Sequence, residues 1–139
     1  MSLRFMAALG LILSFTIGTA HANSTYAISI NTSIGDGDGI AQRIVNAFQS
    51  DIVASSQYSM VSDEHNANYI VEFASIVDDS DNDNTQQTSA YSVVLLDHDW
   101  GYVSSLVGVC GDEKASSCAE HLLESIGSDI SHDQSSSNK

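Results

Sequence analysis

Proline is absent from all 139 residues, cations are scarce and cysteine occurs only twice. Without proline, turns must be made by glycine, asparagine, aspartate and serine. Four Lys and Arg stand against eighteen Asp and Glu. A chain of that sign repels phosphate backbones and anionic headgroups, which excludes nucleic acid and acidic membranes as partners and leaves basic proteins or divalent ions. The same charge also keeps a small exported protein soluble. No internal repeat is visible. A single apolar stretch, Met6 to about Thr19, approaches the length of a membrane span, and it falls short of one.

That stretch follows Arg4 in "MSLRFMAALGLILSFTIGTAHA" and ends on the small-x-small triplet Ala20-His21-Ala22. This is the pattern of a secretory signal peptide over residues 1–22, cleaved after Ala22. No cysteine lies near it to take a lipid. The expected mature chain starts at Asn23 and has 117 residues. It keeps three basic residues, Arg43, Lys114 and Lys139, against all eighteen acids, a net charge of −15. Its expected location is the periplasm, as a soluble protein. Its length suits one domain over 23–131, followed by a polar, flexible tail over 132–139.

An even cysteine count in an exported chain predicts a disulfide between Cys110 and Cys118. The seven residues between them, "GDEKASS", suit a turn. Neither the C-x-x-C spacing of redox and zinc sites nor a flanking histidine ligand is present.

Periodicity gives the element order. Tyr26 to Ile30 reads as a short strand. Ile40, Ala41, Ile44, Val45, Phe48 and Ile52 form one apolar stripe at helical spacing, opposite polar Gln42, Arg43, Asn46, Gln49 and Ser50. Tyr58–Val61 is a second short strand, and "NANYIVEFASIV" is a longer one ending at Val77. Asp78–Ser89 is a polar, hairpin-like connection. Ala90–Asp97 and Tyr102–Cys110 are two more strands joined by "HDWG", a polar turn anchored by its aromatic. A final helix from about Ser117 to Ile130 sets Ala119, Leu122, Leu123, Ile126 and Ile130 on one face, with Ser117 and Glu120 as a capping box. The order β-α-β-β-β-β-α predicts an α+β two-layer sandwich, with two helices on one face of a mixed, mostly antiparallel sheet. The last strands carry apolar residues on both faces: Tyr69, Val71 and Phe73 oppose Ile70, Ala74 and Ile76, and Val93 and Leu95 oppose Val94 and Leu96. Two helices cover one face only, so an exposed apolar strip is expected on the other.

Tyr58, Val61, Ala67, Asn68, Tyr69 and Val71 carry a resemblance. A helix is followed by "x-Y-x-x-V", a polar turn, and "A-N-Y-x-V". The segment from about Ile28 to Leu96 is similar to the N-terminal domain of TolB-type proteins and to LptE-type and CsgG-type envelope-assembly proteins. Asn68 stands where those patterns have aspartate, and the lipid-bearing cysteine of the lipoprotein members is missing. The resemblance implies a non-catalytic envelope module that binds other proteins.

Two acidic loops raise the question of metal. "SIGDGDGI" sets Asp36 and Asp38 among three glycines just before the first helix. Both aspartates would repel a phosphate, no lysine follows, and Ile40 to Ile44 supplies no further oxygen ligand. Asp38 sits where a helix N-cap belongs, worth about 1 kcal/mol. "DDSDNDN" offers Asp79, Asp81 and Asp83 in a D-x-D-x-D start, but Asn84 replaces the calcium-loop glycine and Ala90 stands where its glutamate belongs. These five aspartates are weak cation candidates, and no cofactor is expected. Serine, histidine and aspartate are abundant, yet His65, His98 and His121 sit in no nucleophile-activating pattern. The expectation is a non-enzymatic, exported protein-binding module for envelope assembly or an accessory role, its partner another protein, basic in character, or a second copy as a homodimer. A periplasmic immunity or inhibitor protein and a calcium-responsive domain are the alternatives.

Overall fold

The computed structural model describes residues 25–78 and 87–137. The segment read as a leader, residues 1–22, and the candidates Asp79, Asp81 and Asp83 lie outside them. The elements are β1 (Tyr26–Ile34), α1 (Gly39–Ala54), β2 (Tyr58–Met60), β3 (Tyr69–Asp78), β4 (Thr88–Asp97), β5 (Tyr102–Gly111) and α2 (Ala115–Ser137), with 3₁₀ turns at Glu64–Asn66 and Asp112–Lys114. The strands form one sheet in the order β2-β1-β3-β4-β5. β1 pairs in parallel with both β2 and β3, while β3–β4 and β4–β5 are antiparallel. The expected two-layer α+β sandwich is therefore the fold, with both helices on one face.

The core lies between the helices and that face. The six apolar residues of the α1 stripe are all buried there, with Ala119, Leu122, Ile126 and Ile130 of α2. The sheet contributes Ile28, Tyr69, Val71, Phe73, Val93 and Leu95. The period-2 alternation of β3 and β4 selects these side chains, since register aligns Tyr69, Val71 and Phe73 with Asp97, Leu95 and Val93 on one face. Tyr91 stacks on Phe73 with ring centroids 5.6 Å apart and also lies across Gly108, where a Cβ would come within 2.5 Å of its ring. A disulfide joins Cys110 to Cys118, tying the end of β5 to the first turn of α2.

Boundaries differ from the sequence reading at β1, at both ends of α2 and in the β3–β4 hairpin, where Asp78, Thr88 and Ser89 of the segment read as a connection are paired strand residues. β1 runs to Ile34, because Asn31 to Ile34 keep pairing with Glu72 to Ser75 of β3 although their side chains are mostly polar. α2 begins at Ala115, so Ser117 and Glu120 lie inside the helix and do not cap it. It also runs to Ser137 through the segment read as a flexible tail. The tail side is tied down: the Tyr69 hydroxyl donates to Asp133 Oδ2 at 2.9 Å and accepts from Gln134 Nε2 at 2.8 Å.

Candidate protein-docking face

The glycine-aspartate loop resolves into a helix cap. Asp38 Oδ1 accepts from the Ala41 amide at 2.9 Å, and Oδ2 accepts from the Ser89 hydroxyl at 2.7 Å. The loop reaches this position through Gly37, whose φ is +78°, and Gly35, where a Cβ would meet the Ser75 carbonyl oxygen at 3.1 Å. Asp38 is buried, and burial alone would raise its pKa. The hydrogen bonds from Ala41 and Ser89, with smaller contributions from Ser75 and Ile40, outweigh burial and hold the carboxyl below its ordinary 3.8. The buried Ser75 hydroxyl makes no hydrogen bond of its own. Both carboxylate oxygens of Asp38 are thus engaged by donors of the chain itself. Asp36 is exposed beside it. Among the described residues no group of three His, Cys, Asp or Glu side chains is placed to hold a metal.

Two of the histidines singled out in the sequence pair with acids, and the third lies in a turn. His98 contacts Asp99 at 3.1 Å and His121 contacts Glu124 at 3.6 Å, all four side chains exposed. His65 lies in the first 3₁₀ turn, its backbone amide held by Asp63 Oδ1. In the β4–β5 turn the anchor is Asp97 and not the aromatic: its Oδ1 accepts from the amides of Asp99 at 2.9 Å and Gly101 at 2.7 Å. Trp100 is half-exposed in this turn with φ of +63°, a left-handed conformation that costs a bulky side chain energy.

The sheet face away from the helices carries the site. Register puts Ile70, Glu72, Ala74 and Ile76 of β3 on it, opposite Leu96, Val94, Ser92 and Ala90 of β4. β5 adds Ser105, Val107 and Val109 and, across a bulge at Leu95/Leu96, Tyr102. The Tyr102 hydroxyl and Ser105 Oγ are 3.1 Å apart, in keeping with a shared face. The end near β1 is closed: Ile70 and Ser29 are buried, and Asn31 Nδ2 donates to Glu72 at 2.7 Å and to Glu64 of the β2–β3 connection at 2.8 Å. The rest is open, with Val107 83%, Val109 69%, Tyr102 68% and Ile76 67% exposed. A shallow depression of about 540 Å³ crosses it, lined by Ala74, Ile76, Ala90, Ser92, Val107 and Val109 among others. The small side chains of Ala74, Ala90 and Ser92 make its floor, and the larger ones on β3 and β5 make its rims. The apolar strip read from β3 and β4 is thus present over β3–β5, while its Ile70 end is covered by the chain itself. Tyr102 at its far end was not legible as lying on this face, because the bulge that resets the alternation leaves no sequence signal.

No family model matches this chain, and no curated protein matches it. Solved structures share its fold. The PelC dodecamer from Paraburkholderia phytofirmans is similar over 71% of this chain and 85% of its own, at 12% identity and a TM-score of 0.52. Lipoprotein GNA1162 from Neisseria meningitidis (77% and 99% covered, 8% identity, TM-score 0.46) and a minor lipoprotein from Acinetobacter baumannii (76% and 94%, 8%, 0.46) are more distant. At such identities the likeness is one of fold. Among the described residues no helix is long and apolar enough to cross a membrane.

Proposed function

We propose that this protein is a non-catalytic, exported binding module of the bacterial envelope that docks another protein on the open β3–β5 face. The observation that carries this reading is the exposed set of Ile76, Val107 and Val109 around one depression, with Tyr102 further along the same face of a folded domain. Single exposed apolar side chains are ordinary, but a contiguous set around a concave floor marks an interaction surface. The disulfide favours an oxidising compartment and so supports export. The fold neighbour PelC is a dodecamer, which is compatible with a module of this shape acting through contacts between folded domains.

The test is chemical cross-linking of the exported fraction around an affinity-tagged chain. Wild-type protein should give discrete higher-mass adducts, and so should Glu120→Lys, which alters the outward side of α2. Val107→Asp should lose them while melting like the wild type. Adducts that persist in Val107→Asp would reject the open face as the docking surface.

A further inference from the structure

The open face also indicates what covers it. Resting on the docking reading above, we infer that its occupant is a second copy of this chain, packed face to face about a two-fold axis.

Charge is the first support. The described chain is strongly acidic, yet the depression on the open half of the face is lined by Ala, Gly, Ile, Ser, Tyr and Val; of the carboxylates on its strands, Glu72 is turned to Asn31, and Asp78 and Asp97 stand at strand ends. This is where two chains of the same sign can meet without opposing carboxylates. A basic partner selected by charge would find no acidic group in the depression to pair with.

Shape is the second. One patch holds both a rim and a floor: Val107 and Val109 stand up on β5, and Ala74, Ala90 and Ser92 leave the depression beside them. A two-fold axis sets each copy's rim over the other's floor, the self-complementarity that an isologous interface requires. Sheets packed in this way lie about 10 Å apart.

Area sets the strength. Three ten-residue strands, roughly 33 Å long and about 5 Å apart, present on the order of 500 Å² per copy. Two copies then bury at most about 1,000 Å², at the lower edge of what a specific interface needs, so the dimer is a weak, reversible one.

Salt separates this occupant from a basic one. Long-range repulsion between two acidic chains is screened as the Debye length shrinks, so raising NaCl from about 0.05 M to about 0.5 M should tighten the dimer several-fold. Binding of a basic partner would weaken over the same range.

The experiment is sedimentation equilibrium on the intact exported protein from about 10 µM to about 500 µM, where a weak, reversible dimer is populated. The expected result is a monomer–dimer equilibrium that tightens with salt and is lost in both Val107→Asp and Val109→Asp, each with an unchanged melting temperature. A monomer at every concentration in 0.5 M NaCl overturns the inference, as does a dimer indifferent to both substitutions or weakened by salt. If the purified protein is monomeric while Val107-dependent adducts still form in the exported fraction, the docking reading stands and the second copy is replaced by a different protein.

Discussion

At the scale of single residues, Asp38 and Tyr69 do what sequence separation hides. Asp38 was legible as an N-cap because it stands just before an apolar helical stripe. Its bond to Ser89, fifty-one residues on, was not, since no local pattern records it. Asp38→Ala should therefore cost more than a cap alone, about 2–3 kcal/mol, because it also strands a buried hydroxyl. Chemical denaturation will measure this. The carboxyl's folded pKa lies below its ordinary 3.8, so its contribution is present above that pH and is lost as pH falls through the folded value. The stability gap between wild type and Asp38→Ala should be full at about pH 6 and should narrow below about pH 3.

Tyr69 behaves in the opposite sense. Burial, with the Asp133 carboxylate beside it, pushes its phenol up to about 12, against the opposing hydrogen bond from Gln134. A raised pKa means that the stabilisation is complete below the ordinary value near 10 and disappears as pH rises through about 12. Tyr69→Phe should cost about 1 kcal/mol at neutral pH by removing the hydroxyl's bonds and should blunt the alkaline loss of stability. An alkaline unfolding profile identical to the wild type would contradict this placement.

At the scale of elements, apolar periodicity was a sound guide wherever packing sets the structure. The α1 stripe is buried residue for residue, and β3 and β4 take the faces their alternation indicates. Legibility stopped where backbone pairing or polar contacts take over. The last residues of β1 are polar and are held by their register with β3. Beyond Ile130, α2 has no apolar stripe, and its path follows contacts from Tyr69 that only the fold brings near. The Cys110–Cys118 bond was legible from compartment and count. It closes a short loop, so Cys118→Ser should cost about 2–3 kcal/mol in the loop-entropy description. A melting temperature unchanged by the substitution would show that helix packing alone seats this end of α2. In the β4–β5 hairpin, Trp100 occupies a left-handed position that glycine fills without strain. Trp100→Gly should stabilise the domain by about 1 kcal/mol. A loss of stability would mean that the indole packs better than its exposure suggests. If the gain in stability comes with a loss of cross-linked adducts, the tryptophan is kept for contact and not for folding.

At the scale of the whole molecule, the asymmetry between the two sheet faces is the central fact. One face is filled by α1 and α2. The other is closed by its own chain near β1, and the depression across β3–β5 is open and lined by uncharged residues in an otherwise acidic protein. That two faces would be apolar and one uncovered could be read from the strands. Which part is uncovered depended on the β2–β3 connection, whose Glu64 contact with Asn31 joins residues thirty-three apart. Of the acidic loops that drew attention to metal in the sequence, the first divides into a helix cap at Asp38 and an exposed Asp36, and the second, with Asp79, Asp81 and Asp83, lies outside the described residues.

The most direct measurement places a photo-cross-linking amino acid at single positions in intact cells. Val107 and Val109 would probe the open face, and Glu120 and Glu124 the outward side of α2. A docking face on β3–β5 predicts adducts from positions 107 and 109 and none from 120 and 124. Adducts confined to the α2 positions, with 107 and 109 silent, would contradict it.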